Sequence, residues 1–166
     1  PTPKQNRAAE YLGRVHVDTI GPIYPKDCRG HRFLLATYDD KTNFCRLGLQ
    51  LTKEASETAN TYENLYRLQE KHQVKEIYLD WGKEFEKELR AMMNKRGVII
   101  QKSIQLPGAT NSRQEQKHRD LEEGGRAALI QSGLPGTFWG YAVLHYNYNQ
   151  NRLDVYDESG KLIMKS

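Results

Sequence analysis

Asn111, Glu115, His118, Arg119 and Glu122 fall at i, i+4, i+7, i+8 and i+11, a spacing that sets them along one wholly polar face of an α-helix. A face that puts a carboxylate beside basic and amide groups has the chemistry to hold a metal ion and a phosphate backbone together. A plainer reading stands beside it. Ser112-x-x-Glu115 fits a capping box, in which Glu115 only reaches back to a backbone N–H. A Pro107-Gly108 loop and a Thr/Asn/Ser cluster precede this run, so residues 105–130 read as a mobile loop feeding a helix N-terminus.

Elements upstream must bring partners to that face. Residues 14–20 (RVHVDTI) alternate apolar and polar, the pattern of a half-buried strand, and place Asp18 inside it. Residues 31–38 and 44–51 are two further strands around a five-residue hairpin loop, 39–43, so the first three strands form an antiparallel meander. Helical spacing over residues 53–71 predicts a helix with Thr52 as N-cap, residues 75–79 a short strand closed by Asp80-Trp81-Gly82, and residues 85–95 a second helix ended by Gly97. Val98-Ile99-Ile100 reads as a compact buried strand. After the polar helix, Pro135-Gly136 leads into an amphipathic stretch, 137–148, whose buried side would be Phe138, Trp139, Ala142, Val143 and Tyr146. The predicted class is α/β, a five-stranded mixed sheet flanked by helices. Ligands of such sheets collect beyond the carboxyl ends of adjacent strands, where Asp18 and Asp80 become neighbours if their strands pair. A third carboxylate would then come from a helix.

With 166 residues, 37% hydrophobic and 28% charged, the chain is long enough for one globular domain. No run approaches the roughly 18 apolar residues of a membrane span, so no membrane association is expected. The net charge of +4 leans mildly toward polyanions. Cys28 and Cys45 form neither a disulfide framework nor a zinc site and read as reduced thiols. Residues 1–13 read as a linker or arm, 14–152 as the core and 153–166 as a tail.

Several stretches together resemble the catalytic core of retroviral and retrotransposon integrases, in the ribonuclease H-like DDE superfamily, and within it the copia/Ty1-type elements. These are His16-Val17-Asp18-Thr19-Ile20-Gly21-Pro22, Phe33 to Tyr38 with Asp39-Asp40, Asp80-Trp81-Gly82-Lys83-Glu84-Phe85, Asn111 to Arg119 with Leu121, Ser132-Gly133-Leu134-Pro135 and Phe138-Trp139. The resemblance implies a ribonuclease H-like fold with three antiparallel strands followed by two parallel ones. It implies that Asp18, Asp80 and Glu115 are a catalytic triad holding two Mg²⁺ or Mn²⁺ ions for DNA 3′-end processing and strand transfer. It further implies DNA contacts from Asn111, His118 and Arg119, with Lys117 and Lys102 weaker candidates; for each, the alternative is a solvated side chain. DNA ends and target DNA, a second copy of the chain in a homodimer, and a host tethering protein are the implied partners. The implied setting is nuclear, after assembly in cytoplasmic particles. Ser112, Gln116 and Trp81 depart from the family pattern, the tail looks unrelated, and Gly124-Gly125 is a weak point in the long helix, open to a kink. These departures suggest a diverged or domesticated copy. The alternative function is therefore a catalytically impaired, integrase-derived domain kept for DNA binding, dimerisation or partner recruitment. The lack of a zinc-binding spacing suggests an excised core.

Overall fold

In the computed structural model the described residues are 7–67, 73–79, 82, 85, 87–102, 111–153, 155–156 and 162–164. The sheet has five strands in the order β3-β2-β1-β4-β5, with β1 (Arg14–Ile20), β2 (Phe33–Asp39) and β3 (Cys45–Gln50) antiparallel. Strands β4 (Glu76–Leu79) and β5 (Ile99–Lys102) add to the other side of β1, both parallel. The fold class matches the expectation, and the register shows why the strands meet. Val15 and Val17 are fully buried on one face of β1, beside Ile77 and Leu79 of β4, so a one-residue slip of β1 would turn both valines to the opposite face.

Helix α1 (Ala55–Tyr66) and α2 (Glu88–Lys95) cover that face. Val15, Val17, Leu35, Tyr62, Ile77, Phe85 and Leu89 form its core. The long helix α3 (Asn111–Ser132) and α4 (Trp139–Gln150), joined through a short 3₁₀ turn at Gly136–Phe138, cover the opposite face. There Ile20, Leu34, Ala36, Tyr38 and Leu47 pack with Leu121 and Val143.

The structure corrects several sequence expectations. Residues read as an arm are partly built in: Leu12 is fully buried, its N–H donates to Asp39 Oδ2 at 2.7 Å, and its carbonyl accepts from Lys75 N. The α1 N-cap position is Glu54, not Thr52. Glu57 reaches back instead, accepting from the N–H groups of Leu51 and Thr52 and from the Thr52 hydroxyl. Helix α2 begins at Glu88, with Phe85 buried just ahead of it. Strand β5 lies at a sheet edge, so Ile99 is 60% exposed and only Val98 just before it is buried. On α4, Val143 is buried, whereas Trp139, Ala142 and Tyr146, with Phe138 in the turn before it, are half-buried.

The glycine pair does not break α3, which runs without interruption from Asn111 to Ser132. A Cβ at Gly124 would overlap the Tyr146 ring, and one at Gly125 would lie 3.2 Å from Val143 Cα. Close approach of α3 to α4 therefore offsets the helix propensity the two glycines lack. Beyond α4, β6 (Val155–Tyr156) and β7 (Leu162–Met164) pair as a small antiparallel ribbon.

Candidate active site

Period-two alternation in β1 sends Val15 and Val17 toward α1 and α2, and puts His16, Asp18 and Ile20 on the face under α3 and α4. Asp18 sits near the carboxyl end of β1. Its Oδ1 accepts the Thr19 N–H at 2.7 Å, and its Oδ2 lies 3.5 Å from Nε2 of His118 on α3. The two side chains are 25% and 21% exposed, so the pair sits at the mouth of the site, neither sealed in nor free in solvent. Glu115 is exposed one turn before His118, and Arg119 and Glu122 are exposed on the same helix. The contact between α3 and the strand that carries Asp18 is made by His118, on the same helix as Glu115.

Below Asp18, β1 is stiffened by a polar cluster. Arg14 Nε donates to Glu76 Oε2 at 3.1 Å and its Nη1 reaches Asp40 Oδ2 at 3.4 Å. Its guanidinium lies 5.0 Å from the Tyr78 ring centroid, while the His16 ring packs against Tyr78 at 5.2 Å, tilted by 43°, and faces Asp40 at 3.6 Å. Burial would raise the Asp40 pKa, but hydrogen bonds from His16 and the Ala8 N–H and the charge of Arg14 outweigh it and hold the carboxyl below its ordinary value. Asp39 is buried too, accepting the Thr42 N–H and hydroxyl at 2.8 and 2.7 Å to pin the hairpin. The Asp39-Asp40 pair singled out in the sequence is therefore structural.

Not every expected site residue falls within the described part. Asp80 lies outside it, as do the side chains of Lys102 and Asn111. The β1–β4 register is described up to Val17 opposite Leu79, each followed in sequence by an aspartate. Helix α3 begins at Asn111, so Ser112 stands inside the helix and not ahead of it; its side chain is outside the described residues. Lys117 is half-buried and lines a cleft toward β3 with Cys45 and Asp120. Sequence reasoning missed Tyr38, buried on β2, whose ring centre lies 6.0 Å from that of His118. Its position at an even place in β2 beside Leu34 and Ala36 was the available signal.

Carboxylate oxygens suit a hard divalent cation, and Asp18 stands on β1 and Glu115 on α3. Among the described residues no three His, Cys, Asp or Glu side chains form a metal-holding group. Nor is any helix among them long and apolar enough to cross a membrane.

No protein-family model matches the chain. Over 150 residues it is 24% identical to the retrovirus-related Pol polyprotein from transposon TNT 1-94 of Nicotiana tabacum, a stretch covering 88% of this chain but 11% of that polyprotein. The chain thus spans about a tenth of the length of this relative. In structure it is similar to the HTLV-2 integrase catalytic core domain, which was solved in complex with magnesium in a trimeric form. The TM-score is 0.72 at 16% identity, over 95% of this chain and 97% of that one.

Proposed function

We propose that this chain, for which both comparisons support a retrotransposon integrase core domain, is a metal-dependent polynucleotidyl transferase that processes DNA 3′ ends and joins them to target DNA. The observation that carries the reading is the 3.5 Å approach of His118 Nε2 to Asp18 Oδ2, which joins the Glu115 helix to the Asp18 strand. Asp80 completes the set in this reading, because it follows Leu79 just as Asp18 follows Val17 in the parallel register.

Asp18, Asp80 and Glu115 would hold two Mg²⁺ or Mn²⁺ ions, which when bound supply activation of an attacking oxygen and stabilisation of a leaving 3′-oxygen. The chain's own residues then position the substrate. His118 orients the Asp18 carboxylate when its Nε2 carries the proton. Arg119, exposed one residue further on, offers a planar fork to two phosphate oxygens, and Lys117, Lys102 and Asn111 add further phosphate contacts. Partners under this proposal are element ends and target DNA, a second copy of the chain and a host tethering protein, with the chemistry taking place in the nucleus.

Calorimetry with Mn²⁺ on the wild-type chain and on Glu115→Gln, run beside a strand-joining assay on branched DNA, tests the reading. Metal binding weakened by the substitution, with metal-dependent joining in the wild type, is the expected result. A folded chain that binds no metal at millimolar concentration would overturn it, leaving an integrase fold retained for its surfaces.

A further inference from the structure

One strand away from Asp18 on the same face, a cleft of about 310 Å³ opens between β2, β3 and the packed helices α3 and α4. Its buried part includes Tyr38, Cys45 and Asn147; Asp120 and Gln150 are exposed at its rim, with Lys117 half-buried. Phe44 and Tyr146 add aromatic surface. Two of the buried polar groups are already committed. Asn147 Nδ2 donates to the Cys45 carbonyl at 3.0 Å, and the Cys45 thiol, with its pKa pushed up to about 12 by burial, stays neutral.

Tyr38 is different. The residue is 6% exposed, yet its hydroxyl has no hydrogen-bond partner among the described residues. A buried phenol left unpaired is costly, and its position on the cleft makes a ligand atom the natural partner. Charge on the remaining lining narrows the ligand. A simple anion would meet the Asp120 carboxylate, and a simple cation would meet Lys117. A flat heteroaromatic group with both donor and acceptor edges suits the mixture, since it can face Lys117, Asp120, Gln150 and Tyr38 while lying against Phe44 and Tyr146.

We propose that this cleft is a nucleobase pocket, which takes a base unstacked from the nucleic acid whose backbone lies at Asp18 and Glu115. The natural source of that base rests on the DNA-processing reading, but recognition of the base does not. Tyr38 and His118 are ring neighbours, and His118 faces Asp18, so a strand held at the carboxylates passes within reach of the pocket. An unstacked base lined by hydrogen-bonding edges and aromatic surface would fix the register of the strand at the scissile bond.

Nuclear magnetic resonance titration of the isotope-labelled chain with thymidine and deoxyadenosine tests the pocket directly, with 2-deoxyribose 5-phosphate as a control. A nucleoside of this size is expected to bind at about 1 mM and to shift the resonances of Tyr38, Asn147 and Gln150. Tyr38→Phe, which removes only the hydroxyl, should weaken binding about five- to tenfold, and Gln150→Ala about two- to fivefold. The sugar phosphate should leave those resonances unmoved. Equal shifts from the sugar phosphate, no shifts at ten times the expected concentration, or undiminished affinity in folded Tyr38→Phe would each overturn the proposal. Nucleoside binding by a chain that neither binds metal nor joins DNA would leave the pocket standing and remove the DNA-processing reading.

Discussion

The two faces of the sheet are built to different rules. Under α1 and α2 the described residues form a cluster of thirteen buried side chains, from Leu12 to Val98, that are almost all aliphatic or aromatic. Under α3 and α4 the corresponding cluster has eight, and it includes Tyr38 and Cys45 beside the cleft. The second face is held together partly by polar bonds. Asn147 and Asn151 clasp the Cys45 backbone, Trp139 Nε1 donates to the Pro25 carbonyl at 3.0 Å, and Cys28 N donates to the Thr137 carbonyl at 2.7 Å. Polar bonds occur under α1 too, where Gln50 Nε2 donates to the Thr58 hydroxyl at 3.2 Å and the Tyr66 hydroxyl donates to Thr37 Oγ1 at 3.0 Å. There they are sealed among the larger apolar cluster, whereas the second face carries its polar groups at an open cleft. Under the proposed function, stability and chemistry fall on opposite sides of one sheet, and substitutions should separate them.

The sharpest separation should come from Asp18→Asn. Under the proposed function, losing the Asp18 carboxylate is expected to lower strand joining by about 10³-fold or more, corresponding to several kcal/mol of lost stabilisation. The thermal midpoint should hold or rise, since the site no longer gathers negative charge. On the other face Leu89→Ala should do the reverse. Removing a fully buried leucine is expected to cost about 2–5 kcal/mol in denaturant unfolding, while the folded fraction keeps its metal affinity. If Leu89→Ala changed metal affinity as strongly as stability, the division of labour between faces would fail.

Gly124→Ala probes the seam between α3 and α4. Its Cβ would collide with the Tyr146 ring, so a loss of about 1–3 kcal/mol is expected despite the better helix propensity of alanine. Because Glu115 and His118 ride on the same helix, metal affinity should fall as well, unlike in Leu89→Ala. Unchanged metal affinity in Gly124→Ala would show that the amino-terminal half of α3 is positioned without help from α4.

How far these features could be read in advance depends on how local their causes are. The β1 alternation, the Asp39–Asn43 hairpin and the Gly97 helix stop follow from period-two patterning and turn chemistry, and the structure has them. Gly97 and Asn43 both take the left-handed conformation, at φ 69° and 60°. What was hidden is long-range. Nothing near Leu12 announces that its N–H will meet Asp39, and propensity alone makes Gly124-Gly125 a weak point when the deciding contact is a tyrosine 22 residues later in the sequence. The elements that carry Asp18 and Glu115 were legible as a strand and a helix; the Tyr38 cleft was not, because it arises only where four elements meet.

The smallest effect expected concerns how the polar face answers to acid. Asp27 is buried, and burial alone would raise its pKa. Hydrogen bonds from the His31 ring and N–H and from the Arg29 N–H outweigh that penalty and hold the carboxyl below its usual range. With the folded pKa depressed, the stability Asp27 gives is fully present above its unfolded pKa of about 4 and is lost as pH falls through the folded value. The loop it organises docks on the start of α4, where a Cβ at Gly140 would lie 2.5 Å from Asp27 Oδ2. Acid should therefore loosen α4 before α2. Amide exchange in α4, corrected for the intrinsic pH dependence, should accelerate between pH 5 and pH 3 more than in α2 on the opposite face. Asp27→Asn should already exchange faster in α4 at pH 5 and show a flatter response below it. Equal acceleration on both faces would mean that the polar contacts around Asp27 do not govern the docking of α4, and the contrast between the two faces would then rest on the apolar clusters alone.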